Sequence, residues 1–280
     1  MNLLIVGASG FVGRYLLDRL GGTGTSTSGE NGMLKLDLTS PPSVSGVIGS
    51  VNPDVVINAS GITNVDLCES KPDLAMNVNG YALLTLAGEC RKAGSKLIHI
   101  STDYVFNGLK GNYRETDQPD PVNRYGESKL IGEKYADSDR NAIIRISTPY
   151  GPNISRRKET FMEFVGHSLK LGRPMKAATD LHTTPTYLED IARAVESINE
   201  RDLKGIFHLG STERISRYEF AIRVARTMGY EPERISPCLS RDLPFVARRP
   251  PDTSLDTSKI RKYLKITGLE ESLRSTLQTL

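Results

Sequence analysis

Leu3-Leu4-Ile5-Val6-Gly7-Ala8-Ser9-Gly10-Phe11-Val12-Gly13 decides the fold. The first four side chains are apolar without alternation, the pattern of a parallel strand buried on both faces. A glycine-rich turn follows at once, and apolar positions at Phe11, Val12, Tyr15, Leu16 and Leu20 then fall at helical spacing. Strand, turn and helix in this order make a dinucleotide site. Gly7 and Gly10 allow the tight turn and a close backbone approach to a pyrophosphate, Gly13 lets the helix pack on the sheet, and the helix N-terminus faces the phosphates.

Outward from this unit, strand-like runs at Leu34 to Leu36, Val55 to Ile57, Leu97 to Ile100, Ile143 to Ile146 and Ile206 to Leu209 alternate with helical patterns such as Tyr81 to Ala93, Leu130 to Ala136 and Leu188 to Asn199. Alternation of this kind predicts right-handed crossovers and an α/β fold, a Rossmann-type doubly wound parallel sheet. From Tyr150 onward prolines such as Pro152, Pro174, Pro185, Pro237, Pro250 and Pro251 punctuate shorter elements. The expected organisation is an NAD(P)-binding domain of residues 1–150 plus about 186–210, and a smaller, mainly C-terminal substrate-binding region of about 151–185 and 211–280.

Length and composition set limits. With 280 residues, 38% of them hydrophobic, the chain can bury a sizeable core, and its net charge of +3 is small. Basic residues are interspersed with acidic ones apart from short runs such as Ser155-Arg156-Arg157-Lys158, so nucleic acid is not indicated as a partner. The apolar run at the start is too short for a signal or a membrane span and has no basic segment before it; no membrane association is expected. Cys68, Cys90 and Cys238 are odd in number and lack metal spacing, which fits a reducing cytoplasm, and His99, His167, His182 and His208 are scattered. No metal is expected.

Tyr125 and Lys129, in Asn123-Arg124-Tyr125-Gly126-Glu127-Ser128-Lys129-Leu130, stand four apart and so share a helix face. A phenol with a pKa near 10 is a poor acid-base group at neutral pH, and a neighbouring ammonium favours its ionised form. Ser101-Thr102-Asp103-Tyr104-Val105-Phe106, after a strand-like run, adds a hydroxyl suited to a developing oxyanion. Together these residues point to a carbonyl/alcohol oxidoreductase.

The motifs Gly7 to Gly13, Ser101 to Gly108, Tyr125 to Glu133 and Arg249-Pro250 followed by Ser254-Leu255-Asp256-Thr257-Ser258-Lys259 resemble the extended short-chain dehydrogenase/reductase superfamily. Within it the chain is most similar to the dTDP-4-dehydrorhamnose reductases, with the regulatory beta subunit of methionine adenosyltransferase a near relative. The resemblance implies that Thr102, Tyr125 and Lys129 are catalytic and that the phenol supplies a proton as a reduced nicotinamide supplies hydride to the C4 carbonyl of a nucleotide-linked sugar. It further implies that Gly7, Ser9, Gly10, Phe11, Val12 and Gly13 hold the cofactor, that Asp37 and Leu38 hold its adenine, and that Asn58, Ala59 and Ser60 lie beneath it. Asn77 matches a helix asparagine of the superfamily, and Lys129 would also hold the nicotinamide ribose. Thr102, Asp103 and Tyr104 would border the sugar and Arg249 would take the diphosphate, since a guanidinium binds phosphate oxygens in pairs. On the residues alone Asp37 can instead cap the helix near Ser43, and Arg249 can be a solvated arginine.

Two departures from the family pattern stand out. No tryptophan follows the sixth strand, where the chain reads Arg145-Ile146-Ser147-Thr148-Pro149-Tyr150-Gly151, so Tyr104 and Tyr150 are the aromatic substitutes nearest in sequence. Tyr15 stands where some bacterial members carry a carboxylate proposed to bind magnesium. Between Gly24 and Ser28 no acidic residue marks NAD, and the hydroxyls there with Arg14 favour NADPH, with NADH possible. The expected function is NAD(P)H-dependent reduction, a homodimer being possible; the alternative is a regulatory NADP-binding protein like the adenosyltransferase beta subunit.

Overall fold

The structure, a computed structural model, describes residues 2–156 and 159–278. Arg157 and Lys158 of the basic run lie outside the described residues. The chain passes through β1 (Leu3–Val6), α1 (Phe11–Leu20), β2 (Thr23–Ser26), β3 (Leu34–Lys35), α2 (Pro41–Val51), β4 (Val55–Asn58), α3 (Val65–Ser70), α4 (Pro72–Ala75), a π turn (Met76–Tyr81), α5 (Ala82–Ala93), β5 (Lys96–Thr102), α6 (Arg124–Ala136) and β6 (Ala142–Ile146). Shorter elements follow: β7 (Pro149–Tyr150), α7 (Phe161–Lys170), β8 (Met175–Ala178), β9 (His182–Thr183), β10 (Thr186–Tyr187), α8 (Leu188–Glu200), β11 (Gly205–Leu209), β12 (Ile215–Ser216), α9 (Arg217–Thr227), β13 (Ile235–Cys238) and α10 (Leu269–Gln278).

Seven strands form one sheet in the order β11-β6-β5-β4-β1-β2-β3. Every neighbouring pair is parallel. Successive strands step away from β1 in one direction up to β3 and in the other from β4 onward, so the switch point lies between β1 and β4, where ligands of such sheets bind. The unbroken apolar run of β1 is explained by its two burdens. Leu3 and Ile5 join the layer containing Leu16, Ile191 and Ile198, whereas Leu4 and Val6 join the layer containing Val44, Ile48, Leu83 and Leu86. Burial of each such side chain is worth about 1.5–3 kcal/mol.

A third cluster lies apart from the sheet, with Tyr150, Met162, Val165, Phe220, Val224, Leu269 and Leu273 at its centre. Tyr150 is therefore core: its hydroxyl meets Ser272 Oγ at 2.6 Å and its ring packs on Tyr187 and Phe220. It is not a substitute for the family's stacking tryptophan. Thr148, at the tryptophan's position, takes a left-handed φ of 41°. Among the described residues no helix is long and apolar enough to cross a membrane.

Candidate active site

β5 delivers its last residue, Thr102, to the C-terminal edge of the sheet, where the chain turns into a 3-10 segment, Asp103–Val105. The Thr102 hydroxyl caps that turn by accepting from Tyr104 N at 3.2 Å and donates to Asp103 Oδ1 at 3.1 Å. The Tyr125 phenol lies beside this hydroxyl, and its ring sits 5.8 Å from that of Tyr104. Tyr125 occupies the first turn of α6, which starts at Arg124 because the Asn123 side chain accepts from Gly126 N at 2.9 Å. Gly126 is required there: a Cβ would come within 2.1 Å of the Tyr104 carbonyl oxygen. The helix is anchored further along by Glu133, which forms a buried ion pair with Arg145 of β6 at 2.7 Å and accepts from Ser101 at 2.5 Å.

Lys129, one turn beyond Tyr125, is 5% exposed, and its amine donates to the Ile100 carbonyl at 2.8 Å, with His99 Nε2 3.5 Å away. Burial lowers its pKa from the ordinary 10.5 to about 8, against the pull of Glu133. The Tyr125 phenol moves the other way: burial raises it well above its ordinary value, with the Thr102 hydroxyl opposing and Asp103 adding to the rise. The ionised phenol that the sequence spacing implied is thus not the resting form. Tyr125 keeps its proton at neutral pH, the form needed by a donor.

Asn58, at the end of β4, is wholly buried; its Oδ1 accepts from both N and Oγ of Ser60, and its amide meets His99 Nδ1 at 3.1 Å. This pairing fixes the strand end beside Ala59. Asn77 stands exposed on the π turn. The buried asparagine is Asn79, which accepts from Ile62 N at 2.7 Å and donates to Ile62 O and Ser128 Oγ, joining the 61–62 stretch to α6. Asp37, exposed after β3, folds its carboxylate onto the amide and hydroxyl of Thr39, which lower its pKa; it does not cap α2, whose N-cap is Ser40. Leu38 beside it is buried.

The glycine turn fits a dinucleotide. Gly7 has φ 79°, and a Cβ there would meet Ser60 within 2.6 Å; a Cβ on Gly13 would meet the Gly7 carbonyl at 2.2 Å. α1 begins at Gly10 with no side-chain cap and no acidic residue in its first turn, leaving its N–H groups to an anion. Ser9, Phe11 and Val12 are half-buried around this cradle. Arg14 is paired with Asp18 at 3.0 Å, and Ser26 Oγ accepts from Gly29 N at 3.0 Å.

Beside Tyr104 opens a cleft of about 670 Å³. Its walls include Phe161, Phe164, Phe245, Lys176, Arg217 and Arg249. Asp103 is not among the wall residues. It lies 3% exposed beneath, where Thr102, Ser147 and Thr253 hydroxyls donate to it, and burial nonetheless raises its pKa. Arg249 borders the cleft but is already engaged, 2.9 Å from Asp66 and with its guanidinium 4.4 Å over Phe245. Arg217, absent from the sequence reading, starts α9, shares the cleft wall with Tyr104 and lies 5.2 Å over Phe161. Its Ser216-x-x-Glu219 capping box was the available signal, marking a helix N-terminus on which a basic residue is electrostatically misplaced.

A family model described as RmlD substrate binding domain matches residues 1–280. A dTDP-4-dehydrorhamnose reductase from Streptomyces griseus is 34% identical over 95% of this chain and 88% of its own length. Methionine adenosyltransferase 2 subunit beta from Danio rerio is 30% identical over 99% of this chain and 90% of its own. The crystal structure of dTDP-4-dehydrorhamnose reductase from Bacillus anthracis in complex with NADP superposes with a TM-score of 0.91 at 26% identity, covering both chains in full (100% each).

Proposed function

Because the chain belongs to the RmlD substrate-binding-domain family, we propose that it is an NADPH-dependent reductase of the C4 carbonyl of a nucleotide-linked 4-keto-6-deoxy sugar, with dTDP-4-dehydrorhamnose to dTDP-rhamnose as its reaction. One observation carries this reading: Thr102, Tyr125 and, one turn on, Lys129 gather at the sheet edge to which β1 also brings the glycine cradle, and the Tyr125 ring lies 5.8 Å from that of Tyr104, which edges the cleft. NADPH, when bound, supplies the hydride to the carbonyl carbon.

Tyr125 holds the proton that the carbonyl oxygen takes up, and its raised pKa keeps that proton in place until charge develops. Thr102 stabilises the same oxygen; its single hydroxyl proton, directed at Asp103, turns toward the substrate oxygen for this purpose. Lys129 in its ammonium form offsets the phenolate charge. Asn58, Ser60 and Asn79 set the floor on which the cofactor rests, and Asp37 and Leu38 flank its adenine. Arg217, sharing the cleft wall with Tyr104, is the first cation for the diphosphate, with Arg249 and Lys176 beside it.

The chain divides in this reading into the dinucleotide-binding part, 1–150 with about 186–210, and the substrate-binding part, about 151–185 and 211–280. The separate cluster around Phe220 supports the division, although Ile260 and Ile266 pack back on the sheet. A cytoplasmic location belongs to the same proposal. The test is turnover of dTDP-4-dehydrorhamnose with NADPH, followed at the nicotinamide absorbance. The full-length likeness to the adenosyltransferase beta subunit favours a second reading, a regulatory NADP-binding protein; NADP binding without turnover of any 4-keto nucleotide sugar would decide for it.

A further inference from the structure

Residues 243–249 run along the cleft, to which Leu243, Pro244, Phe245 and Arg249 contribute. This strap is fastened at two places. Asp66, in the first turn of α3, accepts from Val246 N at 3.0 Å, Ala247 N at 2.9 Å and the Arg249 guanidinium at 2.9 Å. Asn123 Nδ2 donates to the Arg248 carbonyl at 2.9 Å. The other end of the same amide, Oδ1, accepts from Gly126 N and starts the catalytic helix. Its orientation is fixed by its partners, since an N–H can only donate and a carbonyl can only accept. Asn123 is 3% exposed, so neither bond is shared with solvent.

Helix capping alone does not require this residue: serine and aspartate cap as well as asparagine. The amide accepts from the helix through its oxygen and donates to the strap through its nitrogen, two separate atoms on a side chain long enough to meet both partners. Tyr125 lies between Asn123 and Gly126, within the turn that the first bond closes, and Gly126 holds that turn hard against the Tyr104 carbonyl. A shift of the strap is therefore carried into the turn that aims the phenol.

We propose that Asn123 is a positioning residue that couples ligand occupancy of the cleft to the setting of Tyr125, through the Arg248 carbonyl on one side and the Gly126 amide on the other. This rests on the reading that the cleft takes a nucleoside-diphosphate sugar. Asn123→Asp keeps the acceptor for Gly126 and sets a second oxygen against the Arg248 carbonyl; Asn123→Ser keeps the cap and is too short to reach the strap.

The decisive experiment follows hydrogen exchange of the Tyr125–Glu127 amides with and without dTDP, a probe that needs no turnover. In the wild type, dTDP slows exchange there about fivefold or more, the lower end of ordinary coupling between two sites. In both variants dTDP still binds, and this response is lost. In turnover, the variants keep NADPH affinity while KM for dTDP-4-dehydrorhamnose rises on the order of fivefold to tenfold, the worth of one hydrogen bond. Binding of dTDP without an exchange response in the wild type, or with an equal response in the variants, overturns the coupling alone. Failure of dTDP to bind the wild type overturns the coupling and the reading beneath it together.

Discussion

Lys129→Met is expected to make the folded protein more stable at pH 7 and nearly inactive. The wild-type amine is buried, and its pKa falls from 10.5 unfolded to about 8 folded. For a lysine depressed in this way the unfolded chain binds the extra proton between those two values, so wild-type stability rises with pH across that window. Below it, charging the buried amine costs roughly 3 kcal/mol. Methionine removes that cost, leaving the Ile100 carbonyl without a donor at about 1 kcal/mol. The net gain of roughly 2 kcal/mol should raise Tm by about 3–4 °C in a chain of this length. By pH 10.5 the advantage should have vanished or reversed, because the wild-type lysine is then neutral when folded and half neutral when unfolded, so the residual cost of roughly 0.4 kcal/mol falls below that of the lost hydrogen bond. Turnover should drop on the order of a hundredfold or more, since nothing then offsets the phenolate. Thermal unfolding of both proteins from pH 7 to pH 10.5 gives the test. A variant less stable than wild type at pH 7, or a difference constant over the range, would refute burial of a charged amine at this position.

Tyr125→Phe should lower kcat on the order of a hundredfold or more with NADPH affinity intact, as only the proton-bearing oxygen is deleted; wild-type turnover in this variant would remove Tyr125 from the mechanism. Gly126→Ala drives a Cβ into the Tyr104 carbonyl, so a stability loss of about 1–3 kcal/mol and a fall in kcat are expected by denaturant unfolding and steady-state rates. With no carboxylate between Gly24 and Ser28 to repel a 2′-phosphate, kcat/KM for NADPH should exceed that for NADH; the reverse order sinks the assignment. Arg217→Ala should raise KM for the nucleotide sugar more than Arg249→Ala, because Asp66 already holds Arg249; equal effects would show that both guanidinia serve the diphosphate.

The sheet and its glycine cradle were legible because buried parallel strands leave continuous apolar runs and a phosphate turn needs glycine at fixed places. Tyr125 and Lys129 lie one turn apart on α6, as a spacing of four implies. Periodicity failed where the backbone left the α period. The π turn adds a residue per turn at Met76–Tyr81, which turns Asn79 inward and leaves Asn77 outside, and no 3.6-residue pattern foresees that. The apolar pattern marks α6 only from Leu130, because its start rests on a cap and a glycine contact rather than on apolar side chains; the Tyr125–Lys129 spacing alone put the first turn in the helix. β3, a two-residue exposed edge paired with β2, falls within the strand-like run at Leu34 to Leu36. The cleft was the least legible part: Phe161, Phe164, Arg217 and Phe245 come from separate segments that meet only in the folded chain. Asp103 was misjudged because a carboxylate answered by three hydroxyls looks the same in sequence as one that faces substrate.

The outermost strand of the sheet carries a consequence for biosynthesis. β11 takes its place beside β6 only after residues 147–204 have been made. During that interval a nascent chain displays Ala142–Ile146 as a bare, largely apolar edge, a template for pairing with any other extended segment within reach. Truncations that end before residue 209 are accordingly expected to aggregate although they retain the entire glycine cradle and all three catalytic side chains, and slower growth at lower temperature should favour recovery of the full-length protein.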